Sequence, residues 1–341
     1  MRTPIFFIIA LIIGVAIFAL ALWKANDYIF YAGYVVVQFI VLATAWNILG
    51  GYCGYVNFGS AAFFAVGAYS TVALHKLSIA PDKYFADWFL SAVKTILPLP
   101  MPVLILVSGL IAGIIGLGMG YLTLRLRGAF FAIATLALAI VLQTIVLNTD
   151  FLGGARGAYI IWPHDFVAGG LQLNYVQYLF LTMVVLAVFA LTVARLIERS
   201  RLGYGFATIR DDELAAEACG VPTLRLKLIA TTISGALMGM AGAPFPYYVG
   251  YLEPGTAFGL TYGVNSIAMP MIGGTTSWVG PLVGAIIVAT AQEWLRVTIS
   301  SEWGVLFVGA MLVIFVVIAP KGIVGHVQDY LRSSRERKEA S

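Results

Sequence analysis

The stretch RLIERSRLGYGFATIRDDELAAEACGVPTLRLK, residues 195–227, decides how the rest of the chain is organised. It holds six Lys/Arg and five Asp/Glu residues in a sequence that otherwise consists mostly of apolar runs. The apolar segments on either side of it are each long enough to cross a membrane. The sequence therefore predicts a water-exposed segment, called the polar segment below, between two membrane spans.

The centre of the polar segment predicts one short helix. Asp211 is a candidate N-cap, and the acids Asp212 and Glu213 suit the positive end of a helix dipole. Gly220 predicts a left-handed stop just before Pro222, which cannot continue a helix.

One face of this predicted helix is small and apolar. Helical spacing places Leu214, Ala215 and Ala218 together on it. Such a face suits the groove of another protein, so these residues, with Arg210 at the start of the helix, are candidates for a contact with a partner.

The composition excludes a soluble protein. The chain has 341 residues, of which 61% are hydrophobic and only 11% charged, and a soluble domain of this length needs far less apolar surface. Two cysteines without nearby histidines, Cys53 and Cys219, indicate free thiols and neither a metal site nor a disulfide framework. The net charge of +4 is ordinary for a membrane protein and does not imply nucleic acid.

The apolar runs predict an all-α, polytopic membrane bundle with about eight to ten transmembrane segments, some broken or re-entrant. One segment, residues 55–74, is interrupted by Asn57, Gly59, Ser60 and Gly67, as in a discontinuous helix. Another, residues 260–272, reaches only about 20 Å as a helix, too short for about 30 Å of hydrocarbon. The candidate spans are 5–23, 28–49, 55–74, 102–122, 128–147, 175–194, 226–247, 260–272, 279–297 and 303–319.

The basic residues predict the orientation of this bundle. With ten crossings, 14 Lys/Arg lie on the side of the polar segment and 6 on the other side, which places the polar segment and both termini in the cytoplasm. The chain divides into a membrane domain, residues 1–325, and a basic cytoplasmic tail, residues 326–341. The sequence of residues 75–100 predicts an interfacial loop with a short helix on the bilayer surface.

The sequence gives no residues for catalysis or for energy coupling within the chain. It contains no G-x-x-x-x-G-K-[ST] motif to hold ATP phosphates, and no histidine pattern of a metal-dependent enzyme. Ion-coupled carriers usually need ionisable groups inside the membrane. The predicted spans carry almost no charge and therefore offer few residues for ion coupling. Glu293 and Arg296, near the end of one span, fit a local ion pair. We therefore expect a protein that is no enzyme and holds neither a metal nor a cofactor.

Neutral polar residues in the spans are candidates for a solute path. They could pass a small zwitterionic or neutral solute without trapping it, and aromatic walls such as Phe63 would meet an aliphatic side chain. Each polar residue taken alone also fits a hydrogen bond between helices, and that alternative stays open. The candidate path residues are Asn57, Gly59, Ser60, Phe63, Thr135, Asn265 and Ser266.

Three stretches of the sequence carry a family pattern. They are GYCGYVNFGSAAFFAVGAY (51–69), RLRGAFFAIATLALAIVLQ (125–143) followed by LGGARG (152–157), and RSRLGYGFATIRDDELAAEACGV (199–221) followed by Lys227, SGALMGMAGA (234–243), Pro254 and IGGTTSWVGPLVGA (272–285). Together they resemble the permeases of ABC importers, specifically the LivM type of the branched-chain amino acid importers. The sequence departs from the family pattern at Leu152, at Thr208 and in GGTTSWVGP, where Thr, Ala and a more glycine-rich turn are usual.

The resemblance implies a permease subunit in a bacterial inner membrane. Its partners would be a second, LivH-like permease, two cytoplasmic ATPase subunits that bind ATP and Mg²⁺, and a periplasmic solute-binding protein. The polar segment would be the loop that contacts an ATPase, through Arg210, Asp211, Asp212, Glu213, Leu214, Ala215, Ala218 and Gly220. Branched-chain amino acids are the expected solute, while importers of urea, amides or aromatic acids, and a channel or secondary carrier for a small neutral solute, are the alternatives.

Overall fold

The structure is a computed structural model of the chain. It describes residues 3–23, 26–79, 97, 99–123, 125–160, 166–168, 171–299, 301–319 and 322–327. Most of the interfacial loop predicted for residues 75–100, with its short helix, and nearly all of the basic tail lie outside these residues. The prediction is wrong for residues 75–79, which are the last turn of a long helix that begins at Ser60.

The described part of the chain is built almost entirely from α-helices. Their bounds are α1 Thr3–Trp23, α2 Asp27–Asn47, α3 Ser60–Ile79, α4 Met101–Thr123, α5 Ala129–Leu147, α6 Tyr175–Glu198, α7 Arg201–Asp211, α8 Glu213–Ala218, α9 Thr223–Gly242, α10 Phe245–Val249, α11 Pro254–Ala257, α12 Leu260–Gly273, α13 Val279–Thr298 and α14 Ser301–Ile318. Two short antiparallel ribbons accompany them. In these, β1 Ala158–Tyr159 pairs with β4 Tyr251–Leu252, and β2 Phe166–Ala168 pairs with β3 Leu171–Leu173.

Seven helical segments of the described residues are long and apolar enough to cross a membrane. They are Ile5–Leu22, Asp27–Tyr52, Ser60–Ile79, Met101–Thr123, Ala129–Leu147, Tyr175–Glu198 and Thr223–Val249. Helix α12, with 14 residues, is as short as predicted, α13 carries Glu293 and Arg296, and α14 contributes the apolar stretch Trp303–Phe315. The predicted fold class, an all-α polytopic membrane bundle, is confirmed.

Small residues bring the central helices into close contact. A Cβ atom at Gly67 of α3 would collide with the carbonyl of Gly239 in α9. Gly109 and Gly113 of α4 face the side chains of Met240 and Ala236 in α9. Since helix association in a membrane depends on packing and lacks a hydrophobic driving force, these glycines explain the close contact of α9 with α3 and α4.

The predicted interruption of the third span lies at its start. Helix α2 continues into a π-helical turn, Ile48–Tyr52, and α3 begins only at Ser60. The prediction that Gly67 also interrupts the helix is wrong, because α3 runs through it unbroken to Ile79 and the glycine serves the contact with Gly239.

Hydrogen bonds satisfy the irregular backbone between α2 and α3. Trp46 donates its indole N–H to the carbonyl of Asn57 at 2.9 Å. The Asn57 side chain accepts from the backbone N–H of Gly59 at 2.8 Å, just before α3 begins. Non-helical backbone survives at membrane depth only where protein or water satisfies it, and in this break the surrounding protein does so.

Candidate functional site

The polar segment folds into two helices where the sequence predicted one. Ser200 caps α7 by accepting from Leu202 N at 3.2 Å. Asp211, the predicted N-cap, is instead the last residue of α7. Asp212 caps α8, accepting from the backbone N–H groups of Leu214 and Ala215 at 2.9 and 3.0 Å. The N-cap of α8 therefore lies one residue later than predicted. The reason is that α7 continues through Asp211, so Asp212 occupies the turn between the two helices.

The predicted end of α8 and its apolar face are present. Gly220 has φ +80°, the left-handed conformation expected of a helix stop. Leu214, Ala215 and Ala218 are all exposed, with Leu214 64% accessible, whereas Ala216 between them is buried. Helix α8 therefore presents a small apolar face outward and is held to the bundle from its other side.

A buried ion pair anchors α8 to the membrane helix α9. Lys227 Nζ donates to Glu213 Oε1 at 2.7 Å, and their side chains are only 3% and 12% exposed. Lys227 also reaches the hydroxyl of Tyr55 at 3.2 Å, and the Tyr55 hydroxyl donates to Glu213. The prediction that the whole polar segment is exposed to water is wrong here, because Lys227 is drawn inward by a carboxylate and a phenol.

Arg127 closes this network from the outside. It pairs with Glu217 at 2.9 Å and lies 3.6 Å from Glu213, while Thr223 donates to Glu217 at 2.8 Å. Burial would raise the pKa of the Glu213 carboxyl. Hydrogen bonds from Lys227 and Tyr55, with the charges of Lys227 and Arg127, outweigh burial and hold that pKa below its ordinary value. Glu213 is thus kept ionised as the centre of the anchor.

The remaining predicted contact residues lie at the end of α7. Arg210 packs against Gly54 in the break between α2 and α3, and its guanidinium is 3.4 Å from the exposed carboxylate of Asp211. The end of α7 therefore touches the same irregular segment from which Tyr55 reaches Glu213.

A second attachment, which the sequence did not indicate, lies at the start of the polar segment. Arg195 is buried, with its guanidinium over the rings of Phe6 at 4.0 Å and Trp278 at 5.8 Å. Glu198 accepts from the backbone N–H of Trp278 at 2.8 Å and from the Tyr52 hydroxyl at 3.4 Å. These contacts tie the end of α6 to α1, to the π-helical turn and to the loop before α13, so Arg195 is a further exception to the predicted exposure.

Five of the predicted path residues form a buried group between α3, α5 and α12. Thr135 Oγ1 accepts from the backbone N–H of Phe58 at 3.2 Å, next to the capping contact of Asn57 with Gly59. The hydroxyls of Ser60 and Ser266 lie 2.8 Å apart, and Ser266 donates to the Gly263 carbonyl at 2.7 Å. In this conformation these polar groups hydrogen-bond to one another and to nearby backbone.

The other two path residues lie apart from this group and from each other. Phe63 is buried against Gly116 and Gly235 in the contact between α3, α4 and α9. Asn265 accepts from Gln292 Nε2 at 3.2 Å and lines a cavity of about 580 Å³. The structure therefore brings five of the seven together and places Asn265 alone beside this open space.

The long apolar helices and the anchored polar helices define a multi-pass membrane protein. The chain belongs to the family described as branched-chain amino acid transport system / permease component, whose family model matches residues 28–316. This match covers most of the chain and confirms the resemblance drawn from its three motifs.

Individual relatives agree with the family assignment. The high-affinity branched-chain amino acid transport system permease protein LivM of Escherichia coli is 27% identical over 318 residues, 86% of this chain and 69% of the relative. The probable branched-chain amino acid transport permease protein LivH of Methanocaldococcus jannaschii is 23% identical, covering 79% of this chain and 82% of the relative. The autoinducer 2 import system permease protein LsrC of Klebsiella pneumoniae is 26% identical over 57% of this chain and 59% of the relative. No solved structure matches the chain significantly.

Proposed function

We propose that this chain is the permease subunit of an ABC importer for branched-chain amino acids in a bacterial inner membrane. Two separate ATPase subunits bind ATP and Mg²⁺ and drive it. A LivH-like second permease completes the membrane part, and a periplasmic binding protein delivers the solute. The observation that carries this proposal is the outward apolar face of α8, anchored through Glu213 to Lys227 of a central membrane helix.

The anchor provides a route for mechanical coupling. In this proposal an ATPase subunit binds the face of Leu214, Ala215 and Ala218, and it moves α8 when the ATPase dimer closes. The Glu213–Lys227 pair passes that movement to α9, which is packed on α3 and α4 through glycines. Packed helices shift between discrete arrangements, so a small displacement at α8 exchanges inward-open and outward-open states.

The solute path in this proposal runs past the polar group between α3, α5 and α12. In the present conformation Asn57, Ser60 and Ser266 are each at most 1% exposed, so α3 must separate from α12 for a solute to pass. Separation exposes hydroxyls and an amide that replace part of the hydration of a zwitterion, and the aromatic ring of Phe63 borders the same segment of α3.

Reconstitution tests the proposal directly. The chain is co-assembled with a LivH-like permease and ATPase subunits of the same genome in proteoliposomes, and leucine uptake is measured with the cognate binding protein outside. The proposal expects uptake only when ATP is inside and the ATPase subunits are present. Uptake without ATPase subunits, driven by a proton or sodium gradient, would instead identify a secondary carrier.

A further inference from the structure

The cavity of about 580 Å³ lies at the end of the bundle opposite α8. It is formed by α2, by the chain from α10 to α12, and by α13 and α14. Trp278, just before α13, contacts Glu198 in the polar segment. Arg296 follows Trp278 by 18 residues, or about 27 Å of helix. The cavity therefore lies away from α8, toward the side that the proposed orientation assigns to the entry of solute.

Both signs of charge stand in the wall of this cavity. Glu293 Oε1 lies 3.5 Å from Arg296 Nη1, one helical turn apart on α13. The two partners are unequally exposed, since the Glu293 side chain is 15% and the Arg296 side chain 60% accessible. An ion pair of this length with one solvated partner has little net stability, so both groups remain available to a charged ligand.

The rest of the wall offers amides and aromatic rings. Gln38, Asn265 and Gln292 contribute carboxamides, and Phe39 and Tyr262 contribute rings that stack on each other with centroids 6.0 Å apart. An apolar wall with a few convergent polar groups, in a volume between about 300 and 1,000 Å³, is typical of a small-molecule site.

We propose that this cavity is an entry site for an α-amino acid zwitterion with an apolar side chain. The Arg296 guanidinium binds the α-carboxylate, Glu293 accepts from the α-ammonium group, and Phe39 and Tyr262 contact the side chain. A zwitterion replaces the Glu293–Arg296 pair charge for charge. A monoanion or a monocation leaves one charge of the pair without a partner in a partly desolvated wall, which is costly. This inference rests on the proposed function. It narrows the range of expected solutes, because aromatic acids and neutral amides do not carry both charges of a zwitterion.

Ligand-observed NMR on the assembled complex in nanodiscs, without binding protein, tests the site. Three probes share the same 3-methylbutyl chain: L-leucine, 4-methylpentanoate, which lacks the ammonium group, and 3-methylbutylamine, which lacks the carboxylate. We compare the native chain with Glu293→Gln and Arg296→Gln. The matched control is Arg156→Gln, since Arg156 is also exposed but does not line the cavity.

The native complex should bind leucine at least tenfold more tightly than either analogue. Glu293→Gln should lose at least tenfold in leucine binding and gain in 4-methylpentanoate binding, Arg296→Gln should show the opposite preference, and Arg156→Gln should match the native chain. Equal binding of all three probes by the native complex, or unchanged leucine binding by both variants, would overturn the site. If a variant fails to assemble, the relative binding of the three probes by the native complex still tests the site. ATP-driven uptake by the native complex is scored separately, so failure of the site and failure of the proposed function remain distinguishable.

Discussion

Lys227 and Glu213 form a buried ion pair, 2.7 Å between Nζ and Oε1, that joins the membrane helix α9 to the short helix α8. The pair spans the boundary between the apolar bundle and its longest polar segment. Tyr55, from the break between α2 and α3, contacts both partners. Three parts of the fold therefore meet at one carboxylate, and in the proposed mechanism these parts move together.

Removing one partner of this pair should be costly, and removing both should cost less. Lys227→Met leaves the Glu213 carboxylate without its buried cation, an effect of roughly 3–5 kcal/mol in comparable cases. We expect a clear fall in the thermal unfolding midpoint of the purified complex and partial recovery in Lys227→Met/Glu213→Leu. Arg225→Met, at an exposed position of the same helix, serves as control. Additive losses in the double variant would contradict the pair.

The anchor should weaken in acid. The pKa of Glu213 is below its ordinary value, because bonds and charges from Lys227, Tyr55 and Arg127 outweigh its burial. A depressed carboxyl pKa contributes stability that is complete above the unfolded-state pKa and is lost as pH falls through the folded-state pKa. The difference in unfolding midpoint between the native chain and Glu213→Gln should therefore be constant near neutral pH and shrink below about pH 4. A difference that grows toward acid pH would refute this assignment.

The hydroxyl of Ser60 should matter for transport and not only for packing. Ser60→Val should lower uptake per assembled complex at least tenfold, because it removes the hydroxyl that faces Ser266. Ser70→Val is the matched control, since Ser70 is a buried serine of the same helix whose hydroxyl donates to the Val66 carbonyl one turn before it. Asn57→Leu is expected to reduce both assembly and uptake, because Asn57 also caps the start of α3. Equal uptake by Ser60→Val and Ser70→Val would contradict a role of the Ser60 hydroxyl in transport and would favour a role in helix packing.

Orientation can be checked by labelling single cysteines. In a Cys219→Ser background, Thr208→Cys should resist an impermeant maleimide added to intact cells, and Tyr159→Cys should react. Both positions are exposed, and the remaining Cys53 is buried. Reaction at position 208 from outside would invert the proposed topology.

The sequence predicted the features that depend on neighbours along the chain. Helix α8, its stop at Gly220 and the short α12 follow from local capping and length, and the capping error of one residue at Asp211 is of the size expected when two helices abut. Gly109 and Gly113 pack closely on α9, which is a common use of glycines spaced four residues apart in an apolar helix.

The features that the sequence did not predict depend on distant partners. The sequence predicted that Lys227 is exposed with the rest of the polar segment. Its burial depends on a contact with Tyr55, which lies 172 residues earlier in the chain. Arg195 is buried beside Phe6 and Trp278, which lie 189 residues before it and 83 residues after it in the chain. A basic residue at the end of an apolar helix can either reach water or fold back onto an aromatic ring, and only the tertiary arrangement decides which.

The most direct test of the coupling account is the ratio of leucine imported to ATP hydrolysed by the reconstituted complex carrying Ala215→Asp. A carboxylate on the exposed apolar face of α8 should prevent its seating in an ATPase groove without disturbing the anchor, since Ala215 is exposed. The account predicts an assembled complex that still hydrolyses ATP and imports at least tenfold less leucine per ATP, while Ala215→Ser stays near the native ratio. A native ratio in Ala215→Asp would contradict it.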